Sequence, residues 1–336
     1  MSTTAKLSIY EDDTHAWRLI EGDALAVLAK LPDNSIDAIV TDPPYGISFA
    51  GNAWDGKAIR TVVGGDGKRL SANEVFARWT RIWATEALRV LKPGGHVVAF
   101  GAPRTVHALT RGVEEAGLEI RDQLLWMYAQ GMPKSRHLPG GLGTCLRPAF
   151  EPIVLARKPL AGTTLRIIET WGTGALNTEA SRVNGRWPAH VVVSHGERCS
   201  EKNCVSGCPV GMLEGQHEGF ARMFFVAKAT RAEREAGLED FPVRSAQLYT
   251  GKARPPRLRA NQHPTVKPIA LMRWLVGLVT PVGGVVCDPF AGSGTTGIAA
   301  VLEKGPFLGI EREPEYVDIA CARLTHHAQK SKKASS

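Results

Sequence analysis

No run of eighteen consecutive apolar residues occurs in this chain, and its front has no charged-then-apolar leader. Those absences argue against a membrane-spanning helix and a secretory route, so a soluble cytoplasmic protein is expected. Cysteine is also scarce: the six present are spread too unevenly for a secreted disulfide framework. Cys145, Cys287 and Cys321 read as ordinary, partly buried thiols. Acidic residues are missing altogether between Phe241 and Gln262, within a chain whose net charge is +8. That balance favours a polyanionic partner, although many basic proteins never meet nucleic acid. At 336 residues and 43% hydrophobic, the chain is long enough for one large α/β domain with an insertion, or for two domains.

Two short signatures carry the chemistry. Near the back, Val285-Val286-Cys287 enters Asp288-Pro289-Phe290-Ala291-Gly292-Ser293-Gly294-Thr295-Thr296-Gly297, and Ile298 to Leu302 continues as a helix-like segment. A glycine-rich loop between strand and helix brings backbone N–H groups close to a ligand, with the positive end of a helix behind them. Alone, this loop reads equally as a glycine-rich turn. The following strand, Gly305 to Ile310, ends at Glu311, about twenty residues after the loop, where a carboxylate can accept from both ribose hydroxyls of an adenosine-containing cofactor. S-adenosylmethionine and a nicotinamide dinucleotide both fit. The Asp-Pro-Phe opening of the loop, and the lack of a Gly-x-Gly-x-x-Gly spacing, disfavour the second.

Near the front, the apolar strand Ile36-Asp37-Ala38-Ile39-Val40 runs into Thr41-Asp42-Pro43-Pro44-Tyr45-Gly46. Two prolines lock the exit from the strand, so the Asp42 carboxylate and the carbonyl between Pro43 and Pro44 can aim at one NH2 group while Tyr45 offers a face to a base. An amine conjugated to an aromatic ring is a poor nucleophile. Two acceptors drawing on its protons expose its lone pair. Read for structure alone, the segment is a strand-terminating turn.

Asp-Pro-Pro-Tyr followed much later by Asp-Pro-Phe-x-Gly-Ser-Gly-Thr-Thr resembles the amino-methylating DNA methyltransferases, in the permuted group whose catalytic half precedes the cofactor half. Leu91 to Gly101 is similar to that family's strand after the catalytic loop, and His263-Pro264-Thr265-Val266-Lys267-Pro268 to the segment before its glycine loop. The resemblance implies an α/β, Rossmann-like fold, a mostly parallel seven-stranded sheet with helices on both faces. It implies Asp42, Pro43, Pro44 and Tyr45 as catalytic residues. S-adenosylmethionine would be held by Asp23, Thr265, Lys267, Asp288, Phe290, Gly292, Gly294, Thr295 and Glu311. Asp before Pro-Pro favours adenine N6, and cytosine N4 is the alternative. RNA methylation, protein glutamine methylation and a catalytically inert DNA-binding homologue are weaker readings. A homodimer and a cognate restriction nuclease are further partners the resemblance suggests, beside double-stranded DNA.

His195-x3-Cys199-x4-Cys204-x3-Cys208 lies in a polar, turn-rich stretch with little to hold it together, and four such ligands fit a structural zinc. There is no Cys-x2-Cys knuckle, His190 or His217 could replace His195, and reduced cysteines in a loop are the plain alternative. Helix-like and strand-like segments alternate through residues 1–156: helices over Asn73–Val90 and Val106–Ala116, strands around Val97 and over Leu124–Tyr128 and Ile153–Ala156. The periodicity weakens over 157–262, expected to be an inserted target-recognition region. Residues 263–329 form the cofactor half, and 330–336 read as a disordered tail. In the insertion, Arg244, Lys252, Arg254, Arg257 and Arg259 near Tyr249 could track phosphates or read a guanine edge, or be a solvated basic loop. Arg182 to Pro188 is a second candidate contact, unless Trp187 is core. Gly46 to Leu70, with Trp54, reads as a loop able to close over a flipped base. His96 and the Glu86–Arg89 pair read as structural and as a solvated helix face.

Overall fold

The computed structural model describes residues 8–48, 52–63, 70–128, 137–183, 185, 187–194, 199, 205–206, 208, 210–212, 224–225, 228–245 and 258–335. Ten of its strands form one sheet: β1 (Ser8–Glu11), β2 (Trp17–Glu21), β3 (Ile36–Thr41), β4 (Leu91–Phe100), β5 (Glu119–Met127), β6 (Phe150–Arg157), β7 (Val191–Val193), β8 (Phe224–Phe225), β9 (Val286–Asp288) and β10 (Phe307–Glu311), in the order β1-β2-β10-β9-β3-β4-β6-β5-β7-β8. The seven from β2 to β5 are the expected sheet. All are parallel except β6, which runs against both neighbours. The sheet is wider than expected because β1 pairs antiparallel at one edge and Val191-Val192-Val193 pairs parallel with β5 at the other. A β-branched run is well suited to cover an open edge.

Described helices are α1 (Ala24–Leu28), α2 (Lys57–Val63), α3 (Ala72–Val90), α4 (Val106–Glu115), α5 (Thr164–Trp171), α6 (Arg231–Glu235), α7 (Ile269–Val279), α8 (Thr295–Leu302) and α9 (Pro314–Ser335). All six β3 side chains are buried, as a strand covered on both faces requires. Ala38 and Val40 pack with Leu271, Leu275, Ile298 and Leu324 from α7, α8 and α9. Ile39 packs on the other side with Phe76, Trp83 and Leu109 from α3 and α4. Ser71 caps α3 by accepting from the Glu74 amide at 3.2 Å.

Two expectations need correction, and one expected boundary is bridged by hydrogen bonds. Residues 330–335 are not a disordered tail but the end of α9, where no glycine or proline interrupts the chain after Pro314 and Lys332 lies 3.6 Å from Asp12. The residues after the boundary near 157 pack back onto the rest of the fold. Thr173 donates to the Pro93 carbonyl, the Asn177 amide donates to the Gly277 and Thr280 carbonyls, and β7 joins the main sheet. Arg89 is no solvated residue either: it donates to the carbonyls of Leu28 and Leu31 and to Asp33, tying α3 to the turn before β3.

Candidate active site

The carboxyl ends of β3 and β9 lie side by side, so the two signatures meet. The Thr41 hydroxyl donates to one oxygen of Asp288 at 2.6 Å, the Thr296 hydroxyl to the other at 2.6 Å, and the Phe290 amide adds a third bond at 3.0 Å. Burial pushes the Asp288 carboxyl up to about 6, against the pull of those two hydroxyls. Its oxygens face inward and organise the loop.

In front of this junction lies a cavity of about 730 Å³, and both signatures line it. Asp42, Pro43, Pro44 and Tyr45 share its wall with Asp23, Thr265, Lys267, Phe290, Gly292 and Glu311. Asp288, Gly294 and Thr295, expected as contacts, are not on that wall. Gly294 takes φ +79° as the N-cap of α8, with its missing Cβ 3.1 Å from Ala320. Thr295 and Ser293 instead accept from the fully buried Arg323 guanidinium, which braces the loop from α9. Gly292 has φ +53°, and a Cβ there would meet His263 at 2.6 Å, so the backbone comes to the cavity surface where only glycine fits. The amide of Gly292 donates to Glu311 at 2.8 Å, and the amides of Arg312 and Glu313 hold the other Glu311 oxygen. Asp23 caps α1 by accepting from the Leu25 and Ala26 amides. Phe290 is wedged against Trp79 and Trp83, 5.5 and 5.9 Å between ring centres.

At the Asp42 end of the cavity, four side chains converge. Tyr45 donates to Asp42 Oδ1 at 2.7 Å and lies 3.0 Å from Glu151 Oε2. The Lys267 ammonium reaches Asp42 Oδ2 at 2.5 Å, Glu151 at 3.2 Å and the Tyr45 hydroxyl at 3.3 Å. Lys267, expected at the cofactor, lines the shared cavity and pairs with Asp42. Burial raises the Asp42 carboxyl above its ordinary range; Lys267 opposes the shift and Glu151 adds to it. Burial alone would depress the Lys267 ammonium, and the two carboxylates outweigh it and raise it. Glu151 was not foreseen. Its only sequence signal is a charge between Phe150 and Pro152, directly ahead of the apolar run of β6.

The rim is formed in part by the segment after Gly46. Trp54 and α2 residues Ala58, Ile59 and Val62 line the cavity, and buried Asp55 accepts from the Gly46 amide at 2.7 Å. Cys145 is exposed at the cavity, not partly buried as expected, because the whole stretch 138–149 lies on the surface. His96 is buried in β4, and that burial, aided by Arg157 and Arg121, depresses its imidazole to about 4.

In the insertion, Cys199 and Cys208 come together in a small apolar cluster with Val193 and Val210, and Cys199 accepts from the Val205 amide at 3.4 Å. His195 and Cys204 lie outside the described residues. Among the described residues no group of three metal-ligating side chains assembles, so the zinc expectation gains no support. Arg244 pairs with Glu315 at 3.0 Å, and Arg244 and Arg259 are neighbours across a two-stranded ladder. Lys252, Arg254 and Arg257, with Tyr249, lie outside the described residues. Trp187 is 63% exposed under the Arg182 guanidinium, 5.4 Å from the ring centre, and is not core.

Comparison with known proteins agrees with this geometry. Residues 36–322 match the model of the N6_N4_Mtase family, described as DNA methylase. The chain is 24% identical over 306 residues to the type II methyltransferase M2.DpnII of Streptococcus pneumoniae, covering 91% of this chain and 88% of that one. It is 24% identical over 346 residues to the type II methyltransferase M.HindIII of Haemophilus influenzae, covering 91% and 94%. The fold is shared with the PvuII DNA methyltransferase, a cytosine-N4-specific enzyme, at a TM-score of 0.58 and 15% identity over 94% of this chain and 93% of that one.

Proposed function

The chain belongs to the DNA methylase family, and from that premise we propose that it transfers a methyl group from S-adenosylmethionine to the N6 amine of an adenine flipped out of double-stranded DNA. The observation that carries the reading is one cavity lined by Asp42, Pro43, Pro44 and Tyr45 at one end and by Asp23, Phe290, Gly292 and Glu311 at the other. The donor set suits the cofactor: Glu311 for ribose hydroxyls, Asp23 for adenine, and the bare backbone at Gly292 for close approach. Bound there, S-adenosylmethionine supplies an electrophilic methyl group. Asp42 and the Pro43 carbonyl orient the target amine as acceptors, Tyr45 stacks on the base, and the apolar wall of Trp54, Val62 and Phe150 excludes water.

Asp42 ahead of the prolines supports adenine over cytosine. Cytosine N4 is the second reading, since the family's name spans both amines. The insertion at 157–262 is assigned to reading the DNA sequence, with Arg244, Arg259 and the cations between them toward phosphate. A dimer and a partner nuclease are part of the proposal only as the company such enzymes keep. The deciding experiment is transfer of labelled methyl to unmethylated genomic DNA, then digestion to nucleosides and mass spectrometry. N6-methyladenine is expected; N4-methylcytosine would move the target, and unlabelled DNA would remove the proposal.

A further inference from the structure

Two carboxylates and one ammonium meet at the floor of the cavity, leaving one negative charge in excess. Lys267 touches Asp42, Glu151 and the Tyr45 hydroxyl, so its three N–H bonds have three acceptors. The Tyr45 phenol has one proton and two carboxylates within reach, Asp42 at 2.7 Å and Glu151 at 3.0 Å. Asp42 and Glu151 are therefore joined through a group that can accept from one while donating to the other.

We propose that Glu151 is the terminal proton acceptor of the reaction, filled from Asp42 through the Tyr45 hydroxyl. This rests on the methylation reading above. Once the amine nitrogen has gained a methyl group it is cationic with its N–H bonds intact. One N–H bond breaks, its electron pair stays on nitrogen, and an O–H bond forms on Asp42. Asp42 then donates that proton to the Tyr45 oxygen as Tyr45 passes its own to Glu151. Atoms and charge balance: the amine ends neutral, Asp42 returns to its anion, Tyr45 is again a phenol and Glu151 is a neutral acid. The excess negative charge is the vacancy this proton fills, and Asp42 is ready to accept the next amine.

The groups facing Glu151 support the assignment. Among the described residues they are Tyr45 and Asp42 from the loop after β3, Lys267 from the segment before α7, and Tyr128 just past β5. Burial and the two carboxylates push the Tyr45 phenol far above its ordinary range, and burial with Glu151 pushes Tyr128 up likewise. Both phenols thus stay protonated, and Tyr45 relays a proton without being consumed. Glu151 opens onto the cavity, so it can discharge when product leaves.

Glu151→Gln keeps the shape and removes the acceptor. Under single turnover, its methyl-transfer rate should fall by about 10²-fold, the usual range for proton-transfer groups. The acidic limb should shift to lower pH, because Glu151 no longer raises Asp42. Glu151→Asp should restore part of the rate, and Tyr45→Phe should cut the rate while leaving Glu151 in place. In the free protein, infrared titration of the carboxyl bands should show Asp42 moving when Glu151 is replaced. Calorimetry with S-adenosylhomocysteine should give wild-type affinity for Glu151→Gln. If wild type methylates DNA while Glu151→Gln retains its rate, acidic limb and free-protein titration, the relay is wrong and the methylation reading stands. A wild type that labels no DNA would overturn the methylation reading instead, and the infrared coupling would still judge the Asp42–Glu151 link.

Discussion

Thr41 and Asp288, 247 positions apart, are joined by a buried hydrogen bond of 2.6 Å. With the backbone pairing of β3 and β9, it couples the strand that presents Asp42 to the loop that presents Gly292. Thr41→Val keeps the shape but removes a donor from a buried acceptor, which costs about 1–3 kcal/mol. Burial already raises Asp288, and the lost hydroxyl raises it further. The carboxyl is then harder to ionise in the folded state, so the loss should be larger at pH 7 than at pH 5 in urea unfolding. An equal loss at both would mean the bond does not stabilise the anion.

Gly292→Ala should weaken cofactor binding without unfolding the protein. A Cβ at φ +53°, 2.6 Å from His263, forces the loop out of position. The left-handed backbone alone costs about 1–2 kcal/mol, or about tenfold in affinity. Isothermal calorimetry with S-adenosylhomocysteine reads the change, and unchanged circular dichroism separates it from misfolding.

Lys267→Met strands two carboxylates that are only about one-fifth exposed. Breaking a buried pair in this way costs about 3–5 kcal/mol. Because Lys267 lowers Asp42, its removal should move the acidic limb of methyl transfer to higher pH, opposite to the shift expected for Glu151→Gln. Rate–pH profiles of the two variants, taken side by side, check the opposed signs.

His96 is buried with its imidazole depressed to about 4, below the unfolded value of 6.5. Its contribution to stability is therefore complete above pH 6.5 and is lost as pH falls toward 4. Between pH 6.5 and pH 5 the wild type should lose about 2 kcal/mol relative to the non-titrating variant His96→Asn, at about 1.4 kcal/mol per unit. Denaturant midpoints of both proteins at pH 7 and pH 5 measure it.

The parts of this molecule legible in its sequence are those where chemistry is written in consecutive residues. Asp42 to Tyr45 and Asp288 to Gly297 announce themselves because a proline lock and a glycine loop each need neighbouring positions. Helices α3 and α4 follow from apolar spacing, and α3 begins within one residue of expectation. Glu151 was hidden because it lies 106 residues beyond Tyr45 and reaches it only through the reversed strand β6. The inward-held positions of Asp288 and Thr295 were hidden for a related reason. Glycine-loop spacing reveals that a ligand is approached, but not which side chains turn inward to hold the loop, and the brace from Arg323 comes from a different helix.

The strand order has a consequence for biosynthesis. Among the described strands β9 and β10 come latest in the chain, yet they sit between β2 and β3, two of the first three. On the ribosome, the early strands wait with a gap two strands wide until the final segment emerges, and long-range pairing of this kind is slow. Chains cut short before Val286 lack the middle of their sheet, so a truncated product cannot assemble the cavity in which Asp42 would act.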